Sequence, residues 1–249
     1  MRLKHWRWVP VIWTMWAAPG SNALPARETF YYSIEWRLIT AGQAKLDWIA
    51  PPQVGATWQA TLHLESLGLV SKFFKVEDDY SVNLNQTFCA LSSQMSSHEG
   101  PRQHETRIIF DGAFRKATYL ERDRLKNTVF LSKETEIPSC VHELLGGLFY
   151  LRTLNLQPPQ SAEVPMSDGK KSVLARVEAQ AREEIKTPAG VFKTIRYEAY
   201  LFNDVLYKRD AHLYVWLSDD ARRLPVQIRV RLQFTIGTIT WLLEKHEGS

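Results

Sequence analysis

Past its opening residues this chain is short of cysteine, of net charge, of long apolar runs and of catalytic signatures, and each shortage excludes something. Only two cysteines occur, Cys89 and Cys140, so no CxxC redox pair can form. There is no G-x-S-x-G elbow and no glycine-rich phosphate loop, and the histidines show neither HExxH nor HxH spacing. Those gaps remove the usual marks of acyl transfer, nucleotide binding and zinc chemistry. No metal or other cofactor is therefore expected. Beyond residue 23 no apolar run approaches the ~20 residues that a membrane-spanning helix needs.

What is present begins with an export pattern. Residues 1–7, MRLKHWR, carry Arg2, Lys4 and Arg7 without an acid, and the eleven apolar-rich residues WVPVIWTMWAA follow. Pro19 and Gly20 then break the run before Ser21-Asn22-Ala23. Charged, apolar and small residues in that order predict a cleavable secretory signal over residues 1–23 and a mature start at Leu24. The expected location is the periplasm of a Gram-negative bacterium. No cysteine stands at the cleavage point to accept a lipid. Residues 1–23 hold three basic residues and no acid, so their removal takes the formal charge from +4 to +1. No nucleic-acid partner is expected from so even a balance.

The 226 residues that remain can bury a core without staples. In an exported chain an even pair of cysteines reads first as a disulfide, here Cys89–Cys140. Closing that span would restrict the unfolded chain by about 4 kcal/mol.

Most of the mature chain alternates. In LPVQIRVRLQF, Val226, Ile228, Val230, Leu232 and Phe234 share one face, with Gln227, Arg229, Arg231 and Gln233 opposite. Period two over that length is a half-buried antiparallel strand. The segment VLARVEAQAREEI is rich in helix formers, yet Val173, Ala175, Val177, Ala179 and Ala181 alternate, and a strand is assigned. Thr187-Pro188-Ala189-Gly190 supplies a turn to the next strand, and Thr40-Ala41-Gly42 reads as another hairpin turn. Some ten to thirteen strands follow from such segments. The predicted fold is mainly β: a large curved antiparallel sheet, as a roll, half-barrel or open barrel, with one packed amphipathic helix. Residues 24–249 form one β-rich domain, with a soft division near 155–171.

The predicted helix is SCVHELLGGLFYLR, residues 139–152. Val141, Leu144, Leu145, Leu148 and Phe149 make its apolar stripe, and Ser139 is the expected N-cap. Gly146 and Gly147 cost helix stability and point to close backbone approach. Cys140 would stand at the first helical position, where a thiol is activated. His142 lies about 200° around the helix from it and could not serve as its base. A stapled helix is the better reading.

Other candidates are weaker. His98, Glu99, His104 and Glu105 flank Gly100-Pro101 and could form an acid–base cluster across a hairpin. Trp36, Trp48, Trp58 and Trp216 are strand aromatics that could line a concave binding face. Arg229 and Arg231 form an outward strip suited to solubility and edge protection.

Four stretches resemble a bacterial exported family catalogued as domain of unknown function 3108. They are the aromatic strand of residues 32–42; Glu99-Gly100-x-Arg102 leading to Ile108-Ile109-Phe110-Asp111; Cys140-Val141-x-Glu143 through Tyr150-x-Arg152; and Thr187-Pro188-x-Gly190 with residues 216–220 and Arg223-Leu224-Pro225-Val226. The family tends to carry aspartate where this chain has Glu143. The resemblance implies export and a β-rich fold with one prominent helix. It carries no activity, so no catalytic residues transfer.

Two functions follow as expectations. The first is a non-enzymatic binding or envelope-maintenance protein for a lipid, glycolipid or glycan. The alternative is an envelope polysaccharide hydrolase or lyase working through the 98–105 region. A protein partner could pair with an exposed sheet edge.

Overall fold

The computed structural model describes residues 24–50, 57–233 and 237–248. The predicted signal segment, residues 1–23, and Phe234 lie outside them. The first half of the chain supplies β1 (Arg27–Trp36), β2 (Ile39–Ile49), β3 (Trp58–Ser66), the short helix α1 (Gly68–Phe73), β4 (Val76–Leu84), β5 (Ala90–Glu99), β6 (Arg102–Asp111), β7 (Lys116–Asp123) and β8 (Thr128–Glu136). Helix α2 (Leu144–Thr153) follows. The second half supplies β9 (Ser161–Ser167), β10 (Ser172–Thr187), β11 (Gly190–Ala199), β12 (Ala211–Ser218), β13 (Pro225–Leu232) and β14 (Thr238–Gly248).

Among the described residues fourteen strands join one sheet in the order β8-β7-β6-β5-β4-β3-β2-β1-β14-β13-β12-β11-β10-β9, and every pair is antiparallel. Two meanders thus meet where the first strand pairs the last. The two edges, β8 and β9, are consecutive in the chain, and α2 lies on the link between them. The sheet curls back on itself: Lys133 on β8 donates through Nζ to the Lys170 carbonyl in the β9–β10 turn at 2.6 Å. In that turn, a Cβ on Gly169 would meet Ile108 of β6 and Tyr119 of β7. The expected curved sheet is the observed one, and its form is an overlapping roll.

Inward positions carry the core. Phe30, Tyr32, Leu46, Trp48, Ala60 and Val82 lie on one inner surface, and Ile195, Tyr197, Val215 and Leu217 on the facing one. Helix α2 joins both clusters, giving Leu145 and Phe149 to the first and Leu151 to the second. That is the geometry an apolar stripe imposes on a helix enclosed by a roll.

Several local expectations shift. The helix begins at Leu144 rather than near Ser139. Residues before it run extended: Val141 O accepts from Ala90 N at 2.8 Å, and His142 bridges Met166 of β9. Cys140 is therefore not helical, and it is joined to Cys89 in a disulfide with a Cα–Cα distance of 5.1 Å. The β1–β2 turn is Arg37-Leu38, at φ 49° and 70°, and residues 40–42 belong to β2. The polar connector near 155–171 contains edge strand β9, whose Pro165 is tolerated because edge strands need fewer amide donors. Strands β5 and β8 and helix α1 had no clear sequence signal: β5 is serine-rich, β8 is exposed almost throughout, and α1 buries no residue.

Candidate ligand cavity

Both ends of α2 are fastened by buried polar side chains. At its start the Glu143 carboxylate accepts from Leu145 N at 3.0 Å and from Gly146 N, and Tyr80 Oη donates to it at 2.6 Å. Burial pushes this carboxyl upward, against those hydrogen bonds. At its other end Arg152 donates to both Glu28 oxygens, at 2.6 and 3.0 Å, and to the carbonyls of Arg222 and Arg223, each at 3.0 Å. Its guanidinium lies between the rings of Phe30 and Phe149, 5.3 and 5.4 Å from their centroids. Burial raises the Glu28 carboxyl, but hydrogen bonds from His246 and Arg152 outweigh it and hold the group below the usual range.

The glycine pair explains how the helix fits. A Cβ on Gly146 would stand 2.8 Å from Leu84 of β4, and one on Gly147 3.0 Å from Met166 of β9. The sequence-based expectation of close approach holds at both positions. Helix α2 is wedged between the two surfaces of the roll.

Beside it lies an apolar cavity of about 340 Å³. Leu145, Leu148 and Leu151 of α2 form one wall; Val177, Val215, Ile228 and Val230 form the facing sheet wall. Leu46 and Leu62 reach in from the other surface, Trp241 lies on β14, and Phe202 and Tyr207 of the β11–β12 loop cover one end. Tyr207 brings the cavity a hydroxyl, which burial, then the nearby Asp168 and Glu143 charges, push far above its usual range.

None of the four sequence-selected tryptophans lines this cavity. Trp48 is fully buried and stacks on Phe149 at 4.0 Å and on Trp58 at 4.7 Å, so these two are core beside the helix. Trp216 sits between inward-facing Val215 and Leu217, so it points to the outer face, where Nε1 donates to Glu183 at 2.9 Å. Trp36 lies at the end of β1 beside Arg37, whose guanidinium is 5.5 Å from its ring. Trp241 does line the cavity. Its signal was the β14 alternation that puts it on the same face as Ile239 and Leu243, but only pairing with Ile34 shows which face is inward.

The structure divides the acid–base candidates. His104 pairs with Ser97 and His98 with Gln103, so His104 and Glu99 share one face of the β5–β6 hairpin, and His98 and Glu105 the other. His104 Nδ1 is 2.6 Å from Glu121, whose second oxygen accepts from Tyr119 Oη at 2.7 Å. Glu105 is held by Arg107 at 2.6 Å. The four do not converge on one cleft.

These features define a class: an antiparallel sheet rolled in barrel-like fashion round one buried helix, with an apolar cavity between helix and sheet. Within that class, the chain belongs to the family described as protein of unknown function (DUF3108), which matches residues 31–244. No curated protein matches it in sequence. In three dimensions it is similar to the β-barrel-like protein of domain of unknown function DUF1849 from Brucella abortus, with a TM-score of 0.59 and 5% identity. That alignment covers 91% of this chain and 99% of the other, and the likeness is one of fold. A protein assigned to export with a YmcC-like fold, from Bacteroides fragilis, gives a TM-score of 0.33 at 8% identity, covering 88% and 95% of the two chains. A protein assigned as a lipoprotein, from Parabacteroides distasonis, gives 0.33 at 9%, covering 90% and 97%.

Proposed function

We propose that residues 24–249 form an exported, non-enzymatic binding domain, and that its cavity receives the acyl part of a lipid or glycolipid in the envelope. One observation carries the reading: the 340 Å³ space between α2 and the sheet is walled almost entirely by aliphatic and aromatic side chains. Its volume falls within the ~300–1,000 Å³ of small-molecule sites. An apolar wall rewards hydrocarbon and offers a bare sugar too few hydrogen bonds, so an acyl chain suits it better than a glycan. Tyr207 would meet the polar end of such a ligand, and the β11–β12 loop it stands on would be the entrance.

Export is supported by the charged, apolar and small-residue order of residues 1–23 and by the Cys89–Cys140 bridge, which an oxidising compartment preserves. Native mass spectrometry of protein taken gently from cells tests the proposal. A bound mass that organic extraction releases as fatty-acyl lipid supports it. Protein of bare polypeptide mass that also takes up no fluorescent fatty acid overturns it.

A further inference from the structure

The turns alternate between the two ends of the sheet, and one end is unlike the other. Arg37 N in the β1–β2 turn donates to Thr238 O beside the β13–β14 turn at 3.3 Å, and Gln233 ties that turn to Asp210 of the β11–β12 loop at 2.8 Å. Helix α1 lies at this end too, because Leu67 N donates to Ala41 O at 2.8 Å. A Cβ on Gly100, in the β5–β6 turn, would touch the Phe74 ring.

Among the described residues, large apolar side chains that stand out here into solvent include Leu38 at 91% exposure, Phe73 at 88%, Leu69 at 66%, Leu125 of the β7–β8 turn at 63%, Ile39 at 51% and Phe74 at 49%. Folding alone gives no reason for them. Helix α1 buries nothing, and Leu38 has a left-handed backbone, φ 70°, in a turn that asparagine and glycine fit best. Cations alternate with these residues as Arg37-Leu38 and Lys72-Phe73-Phe74-Lys75. Neither residues 36–46 nor residues 66–76 contain an acid, although Lys75 does bridge Glu77 at 2.6 Å. An open groove next to Leu38 adds Arg229 and Arg231 against Glu35.

We infer that this end docks on an anionic phospholipid bilayer. Leucine and phenylalanine tips interleaved with lysine and arginine are the composition that enters the interface between headgroups and acyl chains. The tips come mainly from two segments, the β1–β2 turn with the start of β2 and helix α1 with the residue after it, and the cations flanking them complement an anionic headgroup layer. The surface is distinct from the cavity and acts whatever the cavity holds.

Flotation with vesicles tests it, using vesicles of phosphatidylethanolamine with phosphatidylglycerol and vesicles of phosphatidylcholine alone. Parent protein and a Leu38→Ser/Phe73→Ser variant are compared with identical N-termini, as read by intact mass. The parent should float with the anionic vesicles, less so in high salt, and weakly with phosphatidylcholine. The variant should bind at least about tenfold more weakly, since each lost apolar side chain removes a substantial transfer term, and should melt at the parent temperature. A parent that stays unbound, including one that crosslinks a protein at this end, overturns the inference. So does a variant that floats equally well, or a parent indifferent to lipid charge.

Discussion

Arg152 and Glu28 stand 124 positions apart and meet inside the roll, where the guanidinium grips both carboxylate oxygens. The pair joins the end of α2 to the first strand, and the Arg222 and Arg223 carbonyls tie in the β12–β13 turn. It therefore fixes the helix relative to both meanders, and with it the cavity wall.

Removing Arg152 strips the buried Glu28 carboxylate of its guanidinium and leaves it only the His246 contact, at 3.0 Å. Arg152→Met should lower unfolding free energy by about 3–5 kcal/mol, whereas exchanging both residues, Arg152→Met with Glu28→Gln, should recover much of that loss. Denaturant unfolding of the two variants checks this. A double variant as unstable as the single one would show that the pair's role lies in its packing rather than its charge.

The Cys89–Cys140 bridge holds the extended segment before α2 against the end of β4 and the start of β5. It closes a 51-residue separation, so replacing both cysteines with alanine should cost about 4 kcal/mol in the chain-entropy account. The same loss should appear on reduction of the parent protein, and reduction should leave the alanine variant unchanged. Parent protein equally stable in oxidant and reductant would contradict the structural role.

How much of this was readable beforehand depends on the range of the interaction. Alternation is local, so Val226, Ile228 and Val230 announced their strand, and Ala175, Val177 and Ala179 outweighed their helix propensity. The β5 run ALSSQMSSHE lacks β-branched residues and is held by its neighbours, which no local pattern records. The helix start moved because the cap is a side chain, Glu143, that Tyr80 positions from 63 residues away. Register is equally non-local: it alone decides that His98 and His104 occupy opposite faces, that Trp216 faces outward, and that Trp241 faces the cavity.

His142 should make stability pH-dependent. Its ring is buried, donates from Nδ1 to Phe88 O at 2.8 Å, and stacks on Tyr150 at 4.2 Å. Burial lowers its pKa from 6.5, and the Phe88 hydrogen bond opposes that only in part. A depressed folded value means the contribution is fully present above pH 6.5 and disappears as pH falls through the folded value. Adjacent Glu143, raised by burial, acts with the opposite sign, since its contribution disappears as pH rises through its raised value. Glu28 is lowered, so it acts below its ordinary value of 4.5. The difference between parent and His142→Gln isolates the histidine. Parent stability should fall more steeply than that of the variant from pH 6.5 downward; parallel curves would exclude His142 as the source.

Filling the cavity separates ligand binding from folding. Ala175 and Ala199 both line it from the sheet wall, one on β10 and one on β11. A phenylalanine at either position would occupy volume that the acyl chain needs, while its own apolar surface remains buried. Ala175 is fully enclosed, so overpacking there should cost about 1–3 kcal/mol. Ala199 is only partly buried and should tolerate the change better. Both variants should fold and bind fatty acid about tenfold more weakly or worse, equivalent to at least ~1.4 kcal/mol. A fluorescent fatty-acid titration, run beside a thermal melt, gives the two numbers independently. Undiminished binding by a folded Ala199→Phe protein would place the ligand somewhere other than between α2 and the sheet.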